Sequence, residues 1–187
     1  KNNSFETETT LKILRALLRP ESLAALRWSN SHMASLWSSL SHSLPLDRLN
    51  SALANEWDEI LGEDLSQSTG RIPLFFATMA YLSNRDTILE GDWIQPTIEL
   101  MATQYAESAL GVILEQDRLK SISDEHWSAL INEIDRGLKS TDTTISLRVR
   151  NSARKLSEYQ NVPEKYRMMF VTLLVNGLLD YNGSQRS

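Results

Sequence analysis

The chain's 187 residues suffice for one domain with a substantial core, and 41% hydrophobic against 23% charged residues excludes a disordered segment. Its 7 Gly and 5 Pro are too few for a many-turned β-sandwich, and the lack of Cys excludes disulfides, thiolate metal sites and thiol nucleophiles. A net charge of −5 argues against general nucleic-acid binding, which needs clustered cations.

Residues 6–19 place Leu11, Leu14, Leu17 and Leu18 at helical spacing, acids first and bases last, as the helix dipole favours. Pro20 ends this helix or begins a short second one reaching Trp28. Ser29 to Ser31 reads as a break and an N-cap before a helix with Met33, Leu36, Trp37 and Leu40 on one face. Ser43-Leu44-Pro45 is another start signal, followed by a stripe of Leu46, Leu49, Leu53, Trp57, Ile60 and Leu61. Residues 62–70, rich in Gly, Ser and acids, read as a loop.

Ile72 to Leu82 is apolar nearly all round and reads as a central buried helix, Ala77, Met79 and Ala80 favouring helix over strand. A connector with Asn84 and Gly91 leads into residues 93–117, predicted as the longest helix, with Ile98, Met101, Tyr105, Val112 and Ile113 pointing inward. Ser123 caps the next, where Trp127, Leu130, Ile131, Ile134 and Leu138 form a strong amphipathic stripe. Asp142 to Tyr159 follows, with Ile145, Val149, Ala153 and Leu156 inward. Asn161 is predicted to cap the last helix, and Asn182-Gly183 to stop it.

The expected fold is therefore all-α: eight or nine helices packed as antiparallel pairs, an α-solenoid or irregular bundle, in a single domain over residues 1–187. Ser31-His32-Met33-Ala34-Ser35 resembles the junction left by tag removal, which would make residues 1–30 a separate docking segment or fused peptide. No apolar run approaches the roughly 20 residues needed to cross a bilayer. The sequons at Asn2 and Asn182 arise easily by chance, so an intracellular setting, nuclear or cytoplasmic, is the expectation.

Catalytic signals are absent from the sequence. His32, His42 and His126 lack ligand spacing, and Gly62 and Gly70 bracket acids rather than a phosphate loop, so no metal or cofactor is expected. Ser152-Ala153-Arg154-Lys155 matches a bare Ser-x-x-Lys pattern without its companion elements. The acid pairs around Glu56–Glu59 and Glu63–Asp64 read as solvated faces. A non-enzyme is the expectation.

Surfaces offer more. Arg148, Arg150, Arg154 and Lys155 fall on one helix, with Lys165 and Arg167 opening the next. Such a concentration attracts an acidic peptide or an RNA backbone, unless Asp135 and Glu158 neutralise it. Trp28, beside Arg27, is the candidate anchor among five Trp that core packing otherwise explains.

Asp142, Val149-Arg150, Ala153 and Leu156 resemble the second helix of a HEAT-type repeat, with the Asp further from Val-Arg than in those repeats. Gly70-Arg71-Ile72 and Ser146-Leu147-Arg148-Val149-Arg150 make residues 70–159 similar to the HEAT-like middle domain of the translation-initiation scaffold family. The resemblance implies a domain that binds proteins and sometimes RNA; it assigns no binding residues. The expected function is a non-catalytic scaffold or adaptor that holds a peptide or helix of a larger complex, or a second copy of the chain. An RNA-associated adaptor in mRNA metabolism or translation is the alternative.

Overall fold

A computed structural model describes residues 2–17, 39–40, 42–61 and 71–184. They form eight α-helices and no strand: α1 (Asn2–Leu17), α2 (Leu46–Leu61), α3 (Arg71–Ser83), α4 (Ile94–Glu99), α5 (Ala106–Leu119), α6 (Asp124–Leu138), α7 (Thr143–Glu158) and α8 (Glu164–Ser184). A 3-10 turn, Leu100–Ala102, follows α4. The fold is all-α as the periodicities predict. None of the described helices is long and apolar enough to cross a membrane. The readings placed on residues 18–38 and 62–70, including Trp28 and the Ser31–Ser35 junction, lie outside the described residues.

The contacts gather into two compact units, Lys1–Trp93 and Ile94–Ser187. In the first, α2 packs against α1 and α3. The predicted stripes supply the core: Leu11 and Leu14, Leu49 and Leu53, then Ile72, Phe76, Met79 and Leu82. The Pro45 carbonyl accepts from Leu49 N at 3.0 Å, so the chain turns into α2 where the Ser-Leu-Pro signal places the start. Buried Asn50 then ties α2 to the connector, donating to Ile88 O at 2.8 Å and accepting from Glu90 N at 2.9 Å. Gly91 is required one step later. Its φ is +85°, and a Cβ there would stand 2.8 Å from Ala54 Cβ.

In the second unit α7 lies in the middle, touching α5, α6 and α8, while α6 also touches α4 and α8. Short links join α6 to α7 and α7 to α8, which makes these packed neighbours antiparallel. Val149, Ala153 and Leu156 are fully buried, as are Leu130 and Ile134 on α6. Ser123 caps α6 as expected, its Oγ accepting from His126 N at 3.2 Å. Tyr166 locks α8 to the same helix end: its ring stacks on Trp127 at 5.9 Å and its hydroxyl donates to Asp124 O at 3.0 Å.

Three boundaries differ from the sequence expectation. Residues 93–117 are not one helix, because Thr103 adopts an extended conformation and its Oγ1 both donates to Leu100 O and accepts from Tyr105 N. A short polar side chain that serves nearby backbone groups stands in for the helical ladder at this break. Asn161 does not cap α8; the Pro163 carbonyl accepts from Tyr166 and Arg167, so the helix starts at Glu164, two residues later than that cap would place it. At the other end, α8 runs through Asn182-Gly183 to Ser184.

Gly137 marks the tightest helix contact. A Cβ there would lie 2.7 Å from Val149 Cγ2 and 3.0 Å from Ala102 Cα, and the backbone atom cannot swing aside. Gly137→Ala is therefore expected to destabilise the fold by about 1–2 kcal/mol despite the better helix propensity of Ala, read as a lower midpoint in urea.

Asp117 is buried at the end of α5 and accepts from Ile122 N at 2.9 Å. Burial pushes its carboxyl above the usual range, against the opposing pull of the Ile122 bond. A raised folded-state value means that this group's contribution is fully present below its unfolded value near about 3.9 and is lost as pH rises through the folded one. Asp117→Asn keeps an accepting oxygen. It should gain stability over the parent at pH 7, with the gap closing toward pH 4 in paired denaturant titrations; a gap unchanged with pH would contradict the burial effect.

Candidate partner-binding groove

The start of α7 is fixed by Asp142, whose Oδ1 accepts from Thr144 N at 2.8 Å and Ile145 N at 3.2 Å. From that cap the helical period sends Val149, Ser152, Ala153 and Leu156 into the core. It sends Thr143, Leu147, Arg150 and Arg154 to a different face, at steps of three and four residues. The basic residues therefore divide. Arg148 and Lys155, seven apart, share the edge that faces α5, where Glu107 Oε2 lies 3.5 Å from Arg148 Nη1 and Glu107 Oε1 accepts from Asn151 Nδ2 at 3.5 Å. Arg150 and Arg154 occupy the opposite edge.

Arg150 borders a groove of about 780 Å³ between the C-terminal end of α6, the first half of α7 and the later half of α8. Leu138, Leu147 and Leu173 give it apolar walls, and Leu147 is 59% exposed. Asp135 and Lys139 sit on the α6 side, paired with each other at 2.5 Å. Neither Asp135 nor Glu158 forms an ion pair with Arg150 or Arg154 among the described residues. Thr143 and Asn176 line the groove without hydrogen-bond partners among the described residues. At Gly177, on the same wall, an added Cβ would enter open space.

The two cations that open α8 are placed differently. Lys165 Nζ donates to Asp124 Oδ2 at 2.6 Å and lies 4.6 Å from the centre of the Tyr166 ring. Its hydrogen bond to Asp124 raises the ammonium above its usual range, and the same bond holds the Asp124 carboxyl below its own. Arg167 is half-buried. Of the tryptophans, Trp127 is buried and Trp93 half-buried.

The groove leucines escaped the sequence reading as binding residues, as did Thr143, Asn176 and Gly177. One signal was present: Leu147 is an apolar residue on the polar face of an amphipathic helix, three positions before Arg150. Leu173 carried no such mark, since α8 is apolar on most of its circumference, with Met168, Val171 and Val175 exposed.

Elsewhere, the His42 ring stands 4.2 Å from that of Tyr81, and His126 Nδ1 is 2.9 Å from Ser123 Oγ. Among the described residues no three His, Asp or Glu are grouped to hold a metal. Ser152, of the Ser-x-x-Lys pattern, is fully buried, whereas Lys155 is exposed. No protein family, curated protein or solved structure matches the chain.

The Ser152 hydroxyl has no hydrogen-bond partner among the described residues. An unsatisfied buried hydroxyl costs stability, so Ser152→Ala is expected to raise it by about 1 kcal/mol and the melting midpoint by several degrees in calorimetry. A lower midpoint would mean that the hydroxyl is bonded in solution.

Proposed function

We propose that the Ile94–Ser187 unit is a non-catalytic binding module, part of an intracellular scaffold or adaptor, whose groove holds a segment of another protein. The observation that carries this reading is a half-buried arginine, Arg150, without a carboxylate partner among the described residues, beside a wall of leucines open to solvent. A single exposed leucine is ordinary on a solvated face, but Leu147 stands with Leu138 and Leu173 around one groove, and a contiguous apolar wall suits a partner surface. The HEAT-like run Asp142, Val149-Arg150, Ala153 and Leu156 supports the same class, because grooves between packed helices are where such domains bind.

An RNA-associated role is the second reading. It draws on Arg154 and Lys155, both exposed and unpaired among the described residues. These side chains lie on different edges of α7, which spreads their charge instead of aligning it along one backbone track.

Gly177→Leu separates the readings, since it fills the groove while adding a helix former at a position with room for a side chain. With the full chain as bait, protein partners cross-linked at the groove should fall by about tenfold or more on Gly177→Leu, with the melting midpoint unchanged or higher. Oligouridine affinity, if present, should be untouched by this change and reduced by Arg154→Glu with Lys155→Glu. Partners captured equally by the filled variant would remove the groove from consideration.

A further inference from the structure

We infer that the groove selects a peptide segment in which a carboxylate and a large apolar side chain lie within one helical turn of each other, the carboxylate on Arg150 and the apolar group on Leu147 and Leu173. This rests on the groove being the binding site. Charge complementarity names the occupant. Among the described lining residues the one acid, Asp135, is matched within its own helix by Lys139, four residues on, which leaves the Arg150 guanidinium as their net offering. Arg154, one turn further along the same edge, extends that positive side beyond the groove mouth.

Arg150 is half-buried as a residue, and its guanidinium fork matches a carboxylate. The polar groups beside it suit a peptide backbone. Asn176 supplies a donor and an acceptor, and the Thr143 hydroxyl supplies both as well, with neither used inside the described chain. Ser146 is spent on Leu138 O. Among the described residues no aromatic side chain lines the groove to serve as the stacking platform that single-stranded nucleic acid uses.

The test is selection of a displayed library of random peptides, about 12 residues long, on the full chain and on Arg150→Glu and Gly177→Leu, each checked by thermal melt. The chain should enrich sequences carrying Glu or Asp within four positions of Leu, Ile, Met or Phe. Arg150→Glu should weaken those peptides by about tenfold or more and enrich Lys or Arg in the acid's place. Gly177→Leu should abolish enrichment altogether. Apolar sequences without an acidic bias that are lost on Gly177→Leu would overturn the carboxylate selection and leave the groove standing. Enrichment indifferent to both substitutions, or none at all, would overturn both. Oligouridine that competes with the selected peptides and is lost on Arg150→Glu would give the site to RNA instead.

Discussion

The burial of one side of α7 is the constraint on which the second unit depends. Val149, Ala153 and Leu156 are fully buried in a helix packed against α5, α6 and α8, and the packing is close because Gly137 has no Cβ, which would stand 2.7 Å from Val149 Cγ2. Once that side is committed, the period of the helix leaves no freedom for the rest. Arg148 must turn toward Glu107 on α5, and Leu147, Arg150 and Arg154 must turn away from it. The groove is thus a consequence of core packing, with its chemistry set by residues the core did not use.

That logic explains what could be seen in the sequence and what could not. Trp127, Leu130, Ile131 and Ile134 announce α6 because a buried stripe repeats every three to four residues, and Ser123 and Asp142 announce helix starts because a short acceptor side chain meets free N–H groups there. Inward residues on either side of the Thr103 break, such as Ile98 and Ile113, were legible for the same reason. The break itself was not. Thr103 interrupts the ladder through bonds to its own neighbours, and such bonds leave no periodic trace. The end of α8 was misread by the opposite route: Asn-Gly is a stop signal only where the backbone takes a left-handed turn, and here the helix continues through it.

The basic cluster was legible as a face of one helix, but not in what that face meets. Four cations fall within eight residues of one helix, and the helical period alone sets Arg150 and Arg154 on a shared face with Arg148 to one side; the structure adds that Arg148 meets Glu107 on α5. Which acids neutralise them was not legible, although Asp135 and Glu158 were the candidates. Asp135 lines the same groove as Arg150, but the lysine four residues along its own helix takes it first. Local helical pairing won over the tertiary pairing that the sequence reading had set against a binding role.

Scale then favours a short acidic segment over a long polyanion. The chain carries a net charge of −5, so its distant field opposes any phosphate backbone that must run across the surface. At physiological ionic strength that field is screened within about 8 Å, and Arg150 lines the groove without a carboxylate partner among the described residues. A single carboxylate carried by a peptide can reach Arg150 while its apolar neighbour covers Leu147, and the two contacts reinforce each other, since excluding water beside the leucine strengthens the ion pair next to it. A nucleic-acid strand gains the first contact without the second.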